Sequence, residues 1–170
     1  MQNRYDRLLK PLNEKKTQCY LGREVHVAGL LGWILAQTGA ARVIVTTFST
    51  SDDFLCSFIR LKKQGLITFS TLLTDFRASK RTHQLGAFMR NAFDIVRFGE
   101  NHSKLMLVST PTMQVTVLTS QNQTYGSRYE STMVTTDAEI FDYFEDELGE
   151  VLRKSVSYER WNSQKNNLNE

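Results

Sequence analysis

The stretch from residue 102 to residue 130 gathers side chains that could do chemistry at a phosphate: His102, Lys104, Ser120, Asn122 and Glu130. An imidazole can attack phosphorus, and an ammonium group beside it can hold the phosphate under attack. Because a phosphodiester is an anion, a neutral imidazole next to a fixed cation suits this attack better than an anionic nucleophile. These residue types therefore indicate a phosphoryl-transfer site.

A β-hairpin is the local structure that would bring these residues together. Residues two apart in a strand point to the same face, so His102 and Lys104 should emerge together, as should Ser120 and Asn122. The turn signal Thr110-Pro111-Thr112 predicts the hairpin. We expect His102 to lie opposite Asn122 and Lys104 opposite Ser120, since a slip of one residue would turn the two pairs to different faces.

The same residues carry a family resemblance. The segments NHSKLMLVS, TSQN and RYE resemble the HxK, GSxN and E signature of the phospholipase D superfamily, over roughly residues 24–154. The likeness is greatest to small bacterial members with one copy of the motif, such as metal-independent endonucleases. It implies an α/β fold, a phospholipase D-like α-β-α sandwich with a mixed, largely parallel central sheet in a single domain.

The resemblance implies a role for each matching residue. His102 matches the histidine that attacks phosphorus and forms a phosphohistidine, and Lys104 matches the phosphate-binding lysine. Ser120 and Asn122 match the polar residues that support the phosphate and the geometry of the site, and Glu130 matches the carboxylate that orients the histidine. Since this chain has one HxK, the resemblance also implies a homodimer in which a second copy completes the site.

The chain departs from the family pattern at two positions. Ser109 stands where the family usually has an aspartate, five residues after the lysine, and Thr119 stands where it has a glycine. Two alternatives to an active nuclease on DNA or RNA therefore stay open. One is a catalytically degenerate module that binds nucleic acid or assembles with other proteins, and the other is a phospholipid phosphodiesterase.

The elements before the motif alternate between helix and strand. Apolar spacing predicts a core helix over 24–37 that stops at Gly39, a buried strand over 42–48 and a helix capped by Ser51. A strand over 66–73, a helix through Leu85 and Phe93 and a strand over 94–98 follow. This alternation is typical of parallel crossovers.

The second half of the chain has a different pattern. Three strands are predicted over 105–108, 115–118 and 131–135, and then a capping box over 136–139 begins a long amphipathic helix. We divide the chain into a loose or short helical lead-in (1–23), the phospholipase D-like domain (24–154) and a polar tail (155–170), which is expected to be mobile unless Tyr158 and Trp161 dock on the domain. Seven aromatics, among them Phe48, are assigned to the core, whereas Tyr125 and Tyr129 are candidates to line the site.

Composition narrows the class of protein. With 170 residues, 41% of them hydrophobic and 23% charged, the sequence is typical of one globular domain. No apolar run reaches membrane-spanning length and no signal peptide is evident, so a cytoplasmic location without membrane partners is expected. Cys19 and Cys56 are interpreted as reduced, partly buried thiols, and neither cysteine nor histidine spacing predicts a metal site or another cofactor.

Charge is unevenly distributed along the chain. Between residues 77 and 104 six cations face two acids, whereas residues 137–150 contain seven acids and no cation. Arg77, Lys80 and Arg81 follow a predicted parallel strand, at the end of the strand where open α/β sheets bind ligands. These three cations are candidate nucleic-acid-binding residues, with an ordinary solvated loop as the alternative.

Overall fold

The structure, a computed structural model, describes residues 4–78, 80–124 and 127–167. A short 3₁₀ helix (Arg4–Arg7) precedes the first strand. The strands are β1 (Thr17–Gly22), β2 (Ala41–Thr47), β3 (Ile67–Asp75), β4 (Ile95–Gly99), β5 (Leu105–Ser109), β6 (Gln114–Thr119), β7 (Glu130–Thr135) and β8 (Val156–Ser157). The helices are α1 (Val27–Thr38), α2 (Asp52–Lys63), α3 (Lys80–Gln84), α4 (Gly86–Ala92), α5 (Ala138–Lys154) and α6 (Tyr158–Asn167).

All eight strands form one mixed sheet in the order β1-β7-β6-β5-β2-β3-β4-β8. Among the described residues, β2-β3 and β3-β4 are the parallel pairings, and the other five pairings are antiparallel. The prediction of a largely parallel sheet is therefore wrong, although a mixed sheet was expected. The second half of the chain enters the sheet as successive antiparallel strands, which need no crossover helix.

Helices cover both faces of the sheet, which confirms the predicted α-β-α sandwich. Neighbouring β2 residues show this directly, because Val43 and Val45 belong to the core beneath α1 and α2, whereas Ile44 packs with Phe141 and Leu148 of α5. Both sides of β2 are thus buried, as the run of β-branched residues in its sequence predicts.

Local sequence signals fix most helix boundaries. The Ser51 hydroxyl accepts a hydrogen bond from the Phe54 amide and caps α2, as predicted. Gly39 ends α1 at a φ of 78°, a conformation that glycine adopts without steric cost. The cap of α5 differs from the prediction, because Asp137 rather than Thr136 holds the first turn through the Glu139 amide.

The described parts of the first and last segments join the fold, so the short helical lead-in is the alternative that the structure shows, and Trp161 docks as one alternative for the tail allowed. Strand β1 pairs with β7 at one edge of the sheet, and Tyr5, Leu9 and Leu12 are buried in the core. Beyond residue 155, β8 pairs with β4, and the Trp161 ring stacks on Phe98 at 4.2 Å. In each segment only a few large apolar residues make these contacts, which is why its composition is polar although it packs on the core.

Two further features are the exposure of the cysteines and the length of the helices. Cys19 and Cys56 are free thiols as expected, but both are exposed rather than partly buried. Across the described ranges, the helices are too short or too polar to cross a lipid bilayer.

The topology brings the ends of six strands together along one edge of the sheet. The carboxyl ends of β2, β3 and β4 meet there, and so do the start of β5, the end of β6 and the start of β7. All five predicted catalytic positions lie at or just beyond this edge, which we call the site edge.

Candidate functional site

His102 and Lys104 contact each other directly at the site edge. The Lys104 Nζ lies 3.1 Å from the His102 Nδ1 and donates a hydrogen bond to the His102 carbonyl oxygen at 2.8 Å. Between them, Ser103 turns toward β2, where its hydroxyl lies 2.7 Å from the Thr46 hydroxyl. The His102 side chain is exposed, so an incoming group can reach the imidazole.

The predicted pairing across the hairpin is wrong by one residue. Leu105 lies opposite Leu118 and Met106 opposite Val117, and the Thr119 amide donates to the Lys104 carbonyl at 3.1 Å. Lys104 is therefore level with Thr119 rather than with Ser120. The ladder ends there, because residues 101–104 lie outside any strand. A shift of register inverts the faces of residues within a strand. His102 lies outside the strand, so the shift does not decide the direction of its side chain.

Ser120 and Glu130 form the second part of the site. The Ser120 hydroxyl donates a hydrogen bond to Glu130 Oε2, while the Ser131 amide donates to the Ser120 Oγ at 3.0 Å. Burial lowers the pKa of Lys104 below its ordinary value, and the charge of nearby Glu130 opposes that shift. Glu130 begins β7 and Lys104 directly precedes β5, so both side chains belong to the site edge.

Asn122 joins the site through the end of β2. Its Oδ1 lies 3.5 Å from the Thr47 hydroxyl, which donates its proton to the Ser49 carbonyl at 2.7 Å, and the Thr47 carbonyl accepts from the Asn101 Nδ2 at 3.2 Å. Thr47 is fully buried and therefore holds the segment after β6 beside the segment before β5.

Sequence reasoning missed Asp75, the last residue of β3. Its carboxylate is 7% exposed and accepts from the Asn101 amide at 2.6 Å and from the Arg77 amide at 2.5 Å. Asp75 thereby anchors the backbone next to His102 and the start of the basic loop. The signal in the sequence was its position, since a polar residue at the end of a buried parallel strand points to the ligand-binding edge of the sheet.

Phe48 was assigned to the core, and the structure corrects this. The residue is half-buried directly after β2, and its ring lies 5.1 Å from the imidazole of His102, tilted by 50°. The aromatic ring limits the directions that His102 can take.

The two departures from the family pattern are accommodated by local contacts. Ser109 lies at the far end of β5, where its hydroxyl accepts from the Arg42 Nε at 3.2 Å. The Thr119 hydroxyl donates to the Ser131 carbonyl at 3.0 Å and accepts from the Gln121 amide at 3.1 Å. Both side chains are engaged with neighbouring strands or backbone in these contacts.

The predicted nucleic-acid-binding residues follow β3 at the site edge. Arg77 is 83% exposed at its side chain and lies 3.8 Å from Glu100, two residues before His102. Lys80 begins α3 and is exposed, and Arg81 lies 3.8 Å from Asp52 in a loose, exposed ion pair. Such pairs bind weakly and leave the cations available to an anionic ligand.

The aromatic candidates near Glu130 have different outcomes. Tyr129 is 67% exposed, and the guanidinium of Arg23 lies over its ring at 4.4 Å. Tyr125 lies outside the described residues. The other two histidines are placed elsewhere, His26 before α1 and His83 in α3 beside Trp161.

Comparison with known proteins identifies the fold. Nuc from Salmonella typhimurium, a phospholipase D family member, is 16% identical and superposes with a TM-score of 0.63 over 84% of this chain and 97% of its own. NucT from Helicobacter pylori is 13% identical, with a TM-score of 0.63 over 84% of this chain and 98% of its own. An archaeal chromatin protein whose structure shows a novel mode of DNA binding is 10% identical, with a TM-score of 0.53 over 89% and 57%.

No family model matches the sequence, and no curated protein matches it either. The likeness is therefore one of fold, shared with Nuc and NucT, and this is the fold that the motif residues predicted.

Proposed function

We propose that this chain is a metal-independent phosphodiesterase of the phospholipase D superfamily, an endonuclease that hydrolyses DNA or RNA through a phosphohistidine on His102. The observation that carries the proposal is the contact between Lys104 and an exposed His102 at the edge where six strand ends meet. A cation that touches the nucleophile also lies where a phosphate oxygen must bind.

The contacts suggest how the reaction begins. In the attacking copy, Nδ1 of His102 must be unprotonated, and the Lys104 ammonium can then donate a hydrogen bond to it. A bound phosphate draws the ammonium toward its own oxygens, and the unprotonated ring nitrogen attacks phosphorus. An N–P bond forms as the bond to the leaving oxygen breaks, and Lys104 neutralises the charge on the phosphoryl oxygens.

The remaining site residues support this geometry. Ser120 is held between Glu130 and the Ser131 amide, and the Asn122 side chain lies beside the Thr47 hydroxyl. Their polar groups are fixed before substrate arrives, so little ordering is left to be done in the transition state. Water then hydrolyses the phosphohistidine, which releases the phosphate product and restores the imidazole.

The leaving alkoxide needs a proton, and the chain supplies one HxK motif. We therefore propose a two-fold homodimer in which a protonated His102 of a second copy gives its proton to the leaving oxygen as the general acid and, once deprotonated, acts as the base that activates water. General acid catalysis contributes roughly a hundred- to ten-thousandfold to such reactions. Sedimentation of the active protein tests the requirement, because a fully active monomer would contradict it.

Nucleic acid is the substrate class that the surface favours. Arg77, Lys80 and Arg81 lie in exposed positions after β3, and Arg77 is near the segment that carries His102. Cations at this position can follow a phosphate backbone across the site.

The central experiment incubates wild type, His102→Ala and Lys104→Ala with DNA, RNA and bis(4-nitrophenyl) phosphate in EDTA. Wild type should hydrolyse the phosphodiesters in chelator, and both variants, purified identically, should be inactive. Activity lost in EDTA, or retained by His102→Ala, would overturn the mechanism. Trapping a labelled phosphohistidine on wild type identifies the intermediate.

A second function is favoured by the departures at Ser109 and Thr119 and by the fold's likeness to a DNA-binding chromatin protein. In this alternative the chain binds nucleic acid without cleaving it. The same incubation, combined with a mobility-shift assay, separates the two functions. A binding module would shift the DNA band but yield no cleaved product from any of the three substrates.

A further inference from the structure

An exposed tyrosine flanks the candidate site where the end of β1 meets the start of β7. Tyr129 directly precedes Glu130, the first residue of β7, and is 67% exposed. Arg23 directly follows Gly22, the last residue of β1, which pairs with Glu130. The guanidinium of Arg23 lies over the Tyr129 ring at 4.4 Å. Because Tyr129 is well exposed even with the guanidinium on one face, the other face of its ring is open to a ligand.

A second exposed ring lies on the other side of the site. Phe76 directly follows Asp75, the last residue of β3, and is 37% exposed. Its amide donates to the Gly99 carbonyl at 3.1 Å, which ties this backbone to the end of β4. The next residue, Arg77, is 83% exposed at its side chain. An exposed aromatic ring with an exposed arginine beside it therefore lies on each side of the site.

The order of the strands places the proposed catalytic residues between these two rings. Strands β6, β5 and β2 separate β7 from β3 in the sheet. His102 and Lys104 precede β5, and Ser120 follows β6, so all three lie within that span. Neighbouring strands are about 4.8 Å apart, so the distance from β7 to β3 is about 19 Å. Stacked nucleotides rise roughly 3.4 Å along one strand, so about six of them reach from one ring to the other.

The chemistry of a ring beside an arginine suits a nucleic acid. An aromatic side chain stacks on the flat face of any base, and a guanidinium binds phosphate oxygens. In a duplex the faces of the bases are covered by neighbouring base pairs, whereas a single strand can present them to a protein. Single exposed apolar side chains are common on protein surfaces. Here the rings of Tyr129 and Phe76 both lie at the site edge and both have an arginine beside them.

We propose that Tyr129 and Phe76 are stacking platforms for the bases of a single-stranded nucleic acid, one on each side of the phosphate at the site. The neighbouring Arg23 and Arg77 contact phosphates of the same strand. This inference rests on the proposed nuclease function and adds to it a preference for single strands over duplexes.

Binding to the His102→Ala protein tests the platforms without turnover. The probes are a short single-stranded oligonucleotide, an abasic strand of the same length and a duplex of the same sequence. The parent protein should bind the single strand more tightly than the other two probes. Tyr129→Ala and Phe76→Ala, each added to this parent, should weaken binding of the single strand about fivefold to a hundredfold, the usual effect of losing one stacked base. Binding of the abasic strand should not change.

Two control variants match the tyrosine. Tyr129→Phe keeps the ring and should bind all three probes as the parent does. Tyr143→Ala removes a ring of similar exposure, 61%, from α5. The neighbouring Asp142 accepts from Gln114 at the start of β6, so Tyr143 lies towards the opposite edge of the sheet. It should leave the three affinities unchanged.

Several outcomes would overturn the platforms. One is an equal loss of affinity for the single strand and the abasic strand, and another is no loss in either alanine variant. A loss in only one variant would show that the proposal of two platforms is wrong. A duplex bound as tightly as the single strand, or a protein that binds no probe, would also overturn it. Sedimentation covers a further alternative: if Tyr129→Ala separates a dimer that the parent forms, the ring belongs to an interface between two copies.

Hydrolysis of bis(4-nitrophenyl) phosphate by the wild-type protein tests the proposed function separately, because this ester has no base to stack. A protein that hydrolyses the ester but binds single strands equally well without either ring refutes only the platforms. Ring-dependent binding of single strands without any hydrolysis refutes only the nuclease.

Discussion

The Nζ of Lys104 lies 3.1 Å from Nδ1 of His102, and the same ammonium donates to the His102 carbonyl oxygen at 2.8 Å. The lysine is thus tied to both the side chain and the backbone of the proposed nucleophile. Two residues of one short segment, outside any strand, form the centre of the site, and the surrounding strand ends keep that segment in place.

The charge of Lys104 should matter more than its bulk. Replacement by Met keeps most of the apolar stem but removes the cation that would stabilise phosphoryl oxygens, so kcat should fall by about a hundredfold or more. Lys104→Arg is the matched control and should retain part of the activity, because the charge remains while the point contact with Nδ1 is altered. Steady-state hydrolysis of bis(4-nitrophenyl) phosphate measures both, and equal activity of the Met and wild-type proteins would contradict the assignment.

Asp75 should act on the reaction through the backbone of Asn101. Asp75→Asn replaces one carboxylate oxygen with an NH2 donor. The side chain can then accept a hydrogen bond from only one of the Asn101 and Arg77 amides. We expect kcat to fall about tenfold while KM changes little, together with a stability loss of about 1–3 kcal/mol from the unpaired amide.

The control for Asp75 is Asp52→Asn, an exposed carboxylate in the loose pair with Arg81. It should change neither quantity measurably. Denaturant titration and steady-state kinetics on the two variants separate positioning from folding, since a purely structural role for Asp75 would lower stability with no change in the kcat of the folded enzyme.

The contact between Ser120 and Glu130 should be measurable as a coupling. A double-mutant cycle with Ser120→Ala and Glu130→Gln should give an interaction free energy of about 0.5–3 kcal/mol in the activation barrier, because the two side chains share one hydrogen bond. Additive effects on kcat would mean that the two residues act independently. The pair Ser127→Ala and Glu130→Gln, in which Ser127 is exposed, gives the reference for uncoupled positions.

The basic loop should contribute to the salt dependence of binding. The triple variant Arg77→Ala, Lys80→Ala and Arg81→Ala should lower the slope of log K against log salt by about one for each phosphate that these cations neutralise in wild type. Arg60→Ala with Lys63→Ala removes exposed cations from the last turn of α2 and should leave the slope unchanged. Fluorescence anisotropy over a series of salt concentrations measures the slope for each protein. An unchanged slope in the triple variant would show that this loop is not part of the interface.

Acid should weaken the fold through Asp94. Burial by itself would raise the pKa of Asp94, but hydrogen bonds from Lys62 and Ser70 and the charge of Lys62 leave it below the ordinary value of 3.8. Because the pKa is lower in the folded state, the ionised carboxylate stabilises the fold at neutral pH. This contribution to the free energy of unfolding is lost as the pH falls below about 4 and the carboxylate is protonated.

Asp94→Asn should therefore cost about 1 kcal/mol at pH 7, a value kept small because the pair with Lys62 is partly exposed. The difference from wild type should shrink as the pH falls below about 4. Urea titrations at several pH values check this, and a constant difference between the two proteins would show that ionisation of Asp94 is not involved.

Residue types and short spacings determined much of this protein. The alternation of apolar residues in 24–75 predicted the core helices and the parallel strands close to their observed bounds, because burial on one stripe or on both faces is a local pattern. The turn at Thr110 and the identity of the motif residues predicted the hairpin and the fold that the chain shares with Nuc. The chemistry of an imidazole beside an ammonium also follows from two residues alone.

Tertiary structure decided the rest, since the deciding partners are far apart in the sequence. The hairpin register depends on how β5 and β6 pack against β2 and β7, and it differs by one residue from the pairing that the motif suggested. Asp75 and Thr47 gain their roles only where separate strand ends meet. The termini are polar in composition, and their place in the sheet depends on edge strands that only the folded chain presents.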